Sequence, residues 1–338
     1  MVTAGCGGGS TPAKPANSSE VASPGSASVD VIEFEHAGHT RRAVVYRPAS
    51  APPKSPLVLA FHGGGGNADG TRGAYELEPV ADKEGFVIVY PEGAGKKVLG
   101  KHFAVWGVDT MLDQRPETEA DDVGFVAELL RRLERRGGID AQRVYAMGLS
   151  NGSMMAMTLA CELSDQIAAV VGTGGTLHGT DCTSSRAVPT LYVAGEKDPC
   201  WPYAGGRCAG CWQKAMKEAG LRRKPVEYAT CDSLETFEDG WSRHLGCVSE
   251  PTPLPHPGGA SCHEYSTCAD DAVFRVCAVP DLGHVWPGAD YGGCAGKEDG
   301  KLCGAYVRAV GPKSDTLDLS REGWEFVKQF SLGEQPAP

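Results

Sequence analysis

Short apolar segments alternate with amphipathic stretches along most of this 338-residue chain. The segments that predict strands are 31–35 and 43–48, which form an opening antiparallel hairpin, and then 57–61, 86–90, 144–147, 168–171 and 190–193. Helices are predicted at 120–136, 151–163 and 320–330 from apolar side chains spaced three and four residues apart. Alternating strands and helices predict an α/β fold with a mostly parallel central sheet and helices on both faces.

Residues 148–152, Gly-Leu-Ser-Asn-Gly, lie at the junction of a predicted strand and a predicted helix. A G-x-S-x-G junction turns the chain sharply and exposes the serine hydroxyl, while the small flanking residues relieve crowding of the backbone. The helix that follows directs its first N–H groups at charge developing on a substrate carbonyl. The pattern predicts Ser150 as a nucleophile. A chance match on a strand-to-helix turn is the alternative.

A glycine-rich segment, His-Gly-Gly-Gly-Gly-Asn at 62–67, follows the predicted strand 57–61. Loops of this kind complete an oxyanion hole with backbone N–H groups. We therefore predict Gly64, Gly65 and Asn151 as oxyanion-hole residues, with a plain glycine-rich loop as the alternative. His62 precedes the serine, and we interpret it as a structural residue that hydrogen-bonds beneath the site.

Two later segments supply a carboxylate and an imidazole. Strand 190–193 runs into Glu-Lys-Asp-Pro at 196–199, and residues 283–288 read Gly-His-Val-Trp-Pro-Gly. A serine hydroxyl needs an imidazole to take its proton during attack, and a carboxylate must hold that imidazole in the right tautomer. We predict Ser150, Asp198 and His284 as the triad, in the chain order of α/β-hydrolases. Glu196 is the alternative acid.

Together with Asp-Asp-Val-Gly-Phe at 121–125 and Pro202-Tyr203, these motifs resemble the secreted feruloyl-esterase and polyhydroxybutyrate-depolymerase family of α/β-hydrolases over residues 30–333. The resemblance implies an α/β-hydrolase fold and a serine carboxylesterase that works through an acyl-enzyme intermediate without a cofactor. It implies feruloyl, acetyl or 3-hydroxybutyrate esters as substrates, carried on a polymer such as plant cell-wall polysaccharide or polyhydroxyalkanoate. The chain departs from the family pattern at Asp281-Leu282 and in a cysteine-rich stretch from Cys200 to Cys303.

Several alternatives stay open at this stage. A peptidase or lipase on the same fold is the second interpretation of the enzyme, and a non-catalytic surface binding protein is the rival class. Four aromatic residues are predicted to bind substrate near the site, although core positions explain them equally well. They are Trp106, Trp201, Tyr203 and Trp286.

Thirteen cysteines are far more than a cytosolic hydrolase carries, so we expect an extracellular or cell-envelope protein with a disulfide-rich C-terminal part. Cys6 follows Thr-Ala-Gly, like the end of a bacterial lipobox, and the Gly-, Ser- and Pro-rich stretch up to residue 29 is predicted as a flexible tether. Only five residues precede Cys6, and we expect a signal peptide encoded upstream or trimmed. If Cys6 carries a lipid, 13 − 1 = 12 cysteines remain for six disulfides.

The cysteine spacing indicates disulfides rather than a metal site. The expected pairs are Cys161 with Cys182, and Cys247 with either Cys268 or Cys277. Cys208 and Cys211 form a C-x-x-C, which in an oxidising compartment is interpreted as two separate disulfide partners instead of zinc ligands. Asp121 and Asp122 are interpreted as capping and dipole partners of a helix start. No metal is predicted.

Length and charge restrict the remaining classes. The chain is long enough for one large core, predicted over residues 30–333, with a short tail at 334–338. A net charge of −11 and a pI near 5.3 exclude a nucleic-acid partner. Membrane contact is expected only through the lipid on Cys6.

Overall fold

The structure, a computed structural model, describes residues 26–98, 101–108, 120–177, 182–222, 224–226 and 228–333. The predicted lipidation site Cys6, most of the tether and the tail at 334–338 lie outside these residues. Strand formation begins at Ser28, two residues before the predicted domain boundary. Within the described part of the chain, no helix combines the length and apolar character needed to cross a bilayer.

The described strands are β1 (Ser28–His36), β2 (His39–Arg47), β3 (Ser55–Phe61), β4 (Val87–Pro91), β5 (Ala94–Val98), β6 (Lys101–Val105), β7 (Ile139–Leu149), β8 (Ala169–Thr173), β9 (Thr190–Gly195), β10 (Gly206–Cys208), β11 (Ala229–Cys231), β12 (Thr252–Leu254), β13 (Ser261–Tyr265) and β14 (Phe274–Val279). The described α-helices are α1 (Ala68–Ala74), α2 (Leu77–Glu84), α3 (Asp122–Arg136), α4 (Asn151–Glu162), α5 (Cys211–Glu218), α6 (Leu234–His244), α7 (Lys301–Val310) and α8 (Leu319–Val327).

One ten-stranded sheet forms the centre of the molecule, in the order β1-β2-β4-β3-β7-β8-β9-β14-β13-β12. The six strands from β4 to β14 in this order are mutually parallel. At one edge β2 pairs antiparallel with β4, and β1 pairs antiparallel with β2. At the other edge β13 pairs antiparallel with β14, and β12 pairs antiparallel with β13. The mostly parallel sheet predicted from the sequence is therefore confirmed. Two small antiparallel sheets lie outside it: the β5–β6 hairpin, and the pair β10 and β11, between which α5 is inserted in the chain.

Apolar side chains fill both faces of this sheet. In β3 every residue is buried, and alternate side chains face opposite layers. Leu57, Leu59 and Phe61 belong to a core layer with residues of α3, α4 and α6, whereas Val58 and Ala60 belong to a layer with residues of α1, α2 and α8. Burial on both faces explains why the central strands are continuous apolar runs rather than alternating ones. Helices cover both faces, as predicted.

Six disulfides pair the twelve cysteines that follow Cys6. They are Cys161–Cys182, Cys200–Cys211, Cys208–Cys231, Cys247–Cys268, Cys262–Cys277 and Cys294–Cys303. The Cys161–Cys182 pair is confirmed, and of the two partners predicted for Cys247 the structure selects Cys268. Cys208 and Cys211 belong to different disulfides, as the compartment argument predicts. Because disulfides persist in oxidising surroundings, the folded protein functions outside the reducing cytosol.

Candidate active site

Ser150 lies at the sharp junction between β7 and α4. Its backbone has φ 60° and ψ −127°, a conformation that residues other than glycine rarely adopt. The flanking glycines have no room for a side chain: a Cβ at Gly148 would lie 2.1 Å from the Gly152 carbonyl oxygen, and one at Gly152 would lie 2.2 Å from the Phe61 carbonyl oxygen. The chain therefore forms a strained elbow with Ser150 partly exposed at its tip.

Two consecutive glycines after β8 bring this elbow next to the predicted base. A Cβ at Gly175 would lie 2.4 Å from the Ser150 carbonyl oxygen. A Cβ at Gly174, where φ is +63°, would lie 3.0 Å from both Cε1 and Nδ1 of His284. The turn thus touches the backbone of the predicted nucleophile and the ring of the predicted base. A side chain at either position would push these two groups apart.

The predicted acid and base are buried and hydrogen-bonded to each other. Asp198 Oδ2 lies 2.8 Å from His284 Nδ1, and Asp198 Oδ1 accepts from the backbone N–H groups of Cys200 and Trp201 at 2.7 and 2.8 Å. Because a carboxylate only accepts, His284 carries its proton on Nδ1, which leaves Nε2 to take a proton from a nucleophile. Glu196, the alternative acid, is exposed.

Two neighbouring parallel strands deliver this pair to one edge of the sheet. β9 ends at Gly195, just before Asp198, and β14 ends at Val279, five residues before His284. The His284 N–H donates to the Val310 carbonyl at 2.6 Å, which fixes the histidine loop to α7. Strand β14 is absent from the elements predicted above, although its apolar run is a strand signal. Ligands of parallel sheets bind at this carboxyl edge.

The predicted oxyanion hole is only partly available. The Gly65 N–H donates to the Ala104 carbonyl at 2.7 Å, which pairs the loop with β6, so this group cannot donate to a substrate. The prediction is corrected for Gly65. A Cβ at Gly64 would lie 3.7 Å from the Asn151 Cβ, so the loop lies against the elbow. Among the described residues, neither the Gly64 nor the Asn151 N–H donates to a protein acceptor, and both are free to bind an oxyanion.

His62 holds the oxyanion loop from below. Its Nδ1 lies 2.9 Å from the Gly63 carbonyl oxygen, and its Nε2 accepts from the Gly93 N–H at 3.0 Å. Because an N–H can only donate, Nε2 is unprotonated and Nδ1 carries the proton. Burial lowers the pKa of His62 to about 4, so the ring is neutral at physiological pH. The structure thus gives His62 the structural role interpreted from its position.

A closed set of hydrogen bonds joins this loop to the elbow. The Trp106 indole donates to the His62 carbonyl at 2.9 Å. The Trp106 backbone N–H donates to Asn151 Oδ1 at 2.7 Å, and Asn151 Nδ2 donates back to the Trp106 carbonyl at 3.1 Å. Asn151 is therefore fixed through its side chain as well as its backbone. This connection could not be predicted from the sequence, because the three residues have no common spacing or motif.

Two of the four predicted substrate-binding aromatics are core residues instead. Trp106 is 1% exposed and Trp286 is 2% exposed, so neither presents a surface to a substrate. Trp286 stacks on Tyr75 with ring centroids 3.9 Å apart and donates from its indole to Ser320 Oγ at 2.8 Å. The prediction is corrected for these two residues, whose role is to pack and to position loops.

The other two aromatics lie beside the acid. Trp201 and Tyr203 line a small cleft that also includes Asp198, and Tyr203 is 40% exposed. Trp201 is itself buried and packs with Met154 and the Cys208–Cys231 disulfide, so Tyr203 is the one of the two that presents an open ring to a substrate. A further aromatic residue, Trp212, packs on Gly65 of the oxyanion loop and is absent from the four predicted from the sequence. Trp212 stands directly after a cysteine in a short helix, where no periodic pattern signals its position.

The acidic pair at the start of α3 divides into two roles. Asp121 caps the helix, as interpreted from the sequence, by accepting from the Gly124 N–H at 2.8 Å. Asp122 is instead buried, where it pairs with Arg41 and accepts from the Gly107 N–H at 2.7 Å. The hydrogen bond from the Gly107 N–H ties Asp122 to the segment that follows Trp106. Asp122 does lie in the first turn of α3, as predicted, and its pairing with Arg41 is a further role that the sequence did not predict.

Comparison with known proteins adds the family. Residues 41–201 match the family described as Esterase PHB depolymerase. The putative esterase NocK of Nocardia uniformis subsp. tsuyamanensis is 30% identical over 264 residues, which make up 75% of this chain and 73% of the relative. Feruloyl esterase B of Piromyces equi is 24% identical over 299 residues, 86% of this chain and 46% of that enzyme. The chain thus spans less than half the length of the Piromyces enzyme.

A solved structure supports the fold. An acetyl xylan esterase from Aspergillus awamori aligns with a TM-score of 0.52 at 14% identity, covering 82% of this chain and 99% of that one. The architecture and the site define an α/β-hydrolase. The chain belongs to the Esterase PHB depolymerase family, and the prediction of a carboxylic ester hydrolase is confirmed at this level.

Proposed function

We propose that Ser150, Asp198 and His284 form the catalytic triad of a serine carboxylesterase. The observation that carries the proposal is the 2.8 Å contact between Asp198 and His284, whose ring is held beside the Ser150 elbow by the Gly174–Gly175 turn. Burial of Asp198 and two amide hydrogen bonds to its other oxygen support its role as the orienting acid.

The reaction follows from these groups. Ser150 Oγ attacks the ester carbonyl while His284 Nε2 takes its proton, and the resulting oxyanion accepts from the Gly64 and Asn151 N–H groups. The tetrahedral intermediate collapses to an acyl-enzyme as His284 returns the proton to the leaving alcohol. A water molecule, activated by the same imidazole, then releases the acid and restores Ser150.

For substrates we propose feruloyl, acetyl or 3-hydroxybutyrate esters, on plant cell-wall polysaccharide or polyhydroxyalkanoate. The names of the relatives support the first two acyl groups, since they include a feruloyl esterase and an acetyl xylan esterase. A hydrolysis panel of methyl ferulate, p-nitrophenyl acetate, a 3-hydroxybutyrate oligomer and a peptide amide tests the proposal. Turnover of the peptide alone would replace the esterase by a peptidase.

The nucleophile is tested by Ser150→Ala. Loss of a triad member costs on the order of 10⁴–10⁶ in kcat. We expect hydrolysis of p-nitrophenyl acetate to fall by about that factor while the thermal midpoint stays nearly unchanged, because the core is intact. Ser249→Ala, at an exposed position, is the matched control. More than a tenth of the wild-type activity in Ser150→Ala would show that another residue is the nucleophile.

For localisation we propose that Cys6 carries a lipid and that the Gly-, Ser- and Pro-rich tether holds the enzyme at the cell envelope. Pairing of the twelve other cysteines supports this, since it leaves Cys6 as the odd cysteine of thirteen. Mass spectrometry of the mature protein from the source organism tests it. A lipid-modified N-terminal Cys6 is expected, and an unmodified Cys6 would contradict the anchor.

A further inference from the structure

The oxyanion loop is covered by an aromatic side chain from a distant part of the chain. At Gly65, with φ +80°, a Cβ would lie 3.5 Å from Cδ1 and Nε1 of Trp212 and 3.8 Å from its Cγ. These are ordinary van der Waals distances. The Trp212 indole therefore packs directly on the residue next to Gly64, the proposed oxyanion donor.

Trp212 belongs to a group of three partly exposed aromatic rings. Its ring centroid lies 5.9 Å from that of Phe103 in β6 and 6.1 Å from that of Tyr306 in α7. None of the three side chains is buried, in contrast to Trp106 and Trp286. Aromatic surface left open beside a carbonyl-binding loop offers an apolar contact to a planar ring in the substrate.

A disulfide connects this group to the acid. Cys211 immediately precedes Trp212 and is bonded to Cys200, whose N–H donates to Asp198 Oδ1 at 2.7 Å. The segment that orients the carboxylate and the helix that carries the indole are thus covalently joined. This link restricts how far Trp212 can move away from the site.

We propose that Trp212 is a specificity-determining residue whose indole receives an aromatic ring carried by the ester, with Phe103 and Tyr306 supporting the indole. The inference rests on the proposed function, because it takes Gly64 as an oxyanion donor. The ring can belong to the acyl group or to the alcohol, since Trp212 lies beside the loop that binds the carbonyl between them.

Three methyl or acetyl esters separate these cases: methyl ferulate has a ring on the acyl side, benzyl acetate has one on the alcohol side, and methyl acetate has none. We expect Trp212→Ala to lower the kcat/KM of one aromatic ester, relative to methyl acetate, by roughly 10- to 100-fold, mainly through KM. Trp212→Phe keeps a ring and should restore the ratio to within about threefold of wild type. The ester that is affected identifies the side of the bond.

Tyr228→Ala is the matched control, because Tyr228 is also an exposed aromatic of this part of the chain but stacks on Arg207 and not on the loop. It should leave both ratios unchanged. An equal fall for all three esters in Trp212→Ala, or no fall, overturns the proposal. Each variant is judged by its kcat/KM ratio to methyl acetate in the same preparation, so a lower folded fraction of the alanine variant cancels and does not hide the result. Failure of the proposed function would show separately, as retained activity in Ser150→Ala.

Discussion

The nucleophile half (residues 28–177) and the cross-linked half (residues 182–333) fix their parts of the site by different means. In the nucleophile half, Ser150 lies at the junction of β7 and α4. A Cβ on the flanking Gly148 or Gly152 would overlap backbone atoms of α4 or β3. The cross-linked half contains five of the six disulfides, and the sixth, Cys161–Cys182, joins the two halves. It contributes Asp198, His284 and Trp212.

The difference separates two ways of holding catalytic groups. Backbone packing at Gly148 and Gly152 tolerates no added atom, so the elbow is fixed by sterics. The acid follows β9 directly, but the helix that carries Trp212 belongs to short elements that bury little apolar surface, and covalent bonds replace packing there. The nucleophile half should therefore be sensitive to side-chain size, and the cross-linked half to charge and redox state.

Within the cross-linked half, the largest effect is expected at Asp198. Asp198→Asn keeps the shape of the side chain but favours the wrong His284 tautomer, so kcat should fall by about 10⁴ with little change in the thermal midpoint. Glu196→Gln is the matched control two residues away, at an exposed position. Steady-state kinetics on p-nitrophenyl acetate measure both. If Glu196→Gln were the inactive variant, the orienting acid would be misassigned.

The steric argument is tested at Gly152. A Cβ there would lie 2.2 Å from the Phe61 carbonyl oxygen and 2.6 Å from that of His62, and backbone cannot yield. Gly152→Ala should lower the free energy of unfolding by about 3 kcal/mol or more. In Gly73→Ala, an exposed helical position with no heavy atom within 4 Å, alanine should stabilise by up to about 1 kcal/mol. Urea unfolding measures both variants. Equal changes in the free energy of unfolding would show that the backbone around Gly152 can accommodate a Cβ.

The cross-linked half should instead depend on its covalent bonds. Cys208 and Cys231 are buried and close a loop with a sequence separation of 23. Replacing both by alanine should lower the free energy of unfolding by about 2–4 kcal/mol. The Cys294–Cys303 pair spans a separation of only 9, so its double alanine variant should lose less. More than one free thiol per chain in the unfolded, unreduced wild-type protein would contradict the pairing, since only Cys6 lies outside the six disulfides.

The same contrast explains what the sequence could predict. The elbow, the residues of the proposed triad and the central strands can be predicted from local patterns: apolar runs, a glycine-flanked serine and turn residues. Predicted strand 190–193 corresponds to β9 (Thr190–Gly195), and predicted helix 151–163 to α4 (Asn151–Glu162). β9 lies inside the sheet and α4 packs on the sheet, so the spacing of apolar residues in both elements reflects their burial.

What the sequence could not predict depends on contacts between distant segments. Gly65 is lost as a donor because its N–H pairs with the Ala104 carbonyl. Trp106 is buried against the rings of Phe61 and His62, where its indole donates to the His62 carbonyl. Trp212 follows Cys211, whose disulfide to Cys200 joins α5 to the segment after β9, and it contacts the loop from this distant part of the chain. No residue spacing encodes these contacts, and partner choice among twelve cysteines is not specified by local propensity.

The smallest effect is expected at His62, where the nucleophile half should show one sensitivity to charge. Burial lowers the pKa of His62 from 6.5 to about 4, so between these values the folded protein binds fewer protons than the unfolded chain. Stability contributed by neutral His62 is complete above pH 6.5 and is lost as the pH falls toward 4. At pH 5 the loss is about 2 kcal/mol. Protonation would also set an N–H of the ring against the Gly93 N–H and release the oxyanion loop.

Urea unfolding at pH 7.5 and pH 5 measures this effect. The free energy of unfolding should change less between the two pH values in His62→Gln than in wild type, and exposed His39→Gln is the matched control. The same pH dependence in all three proteins would show that the imidazole is protonated in the folded state, and the hydrogen-bond assignment at Gly93 would be wrong.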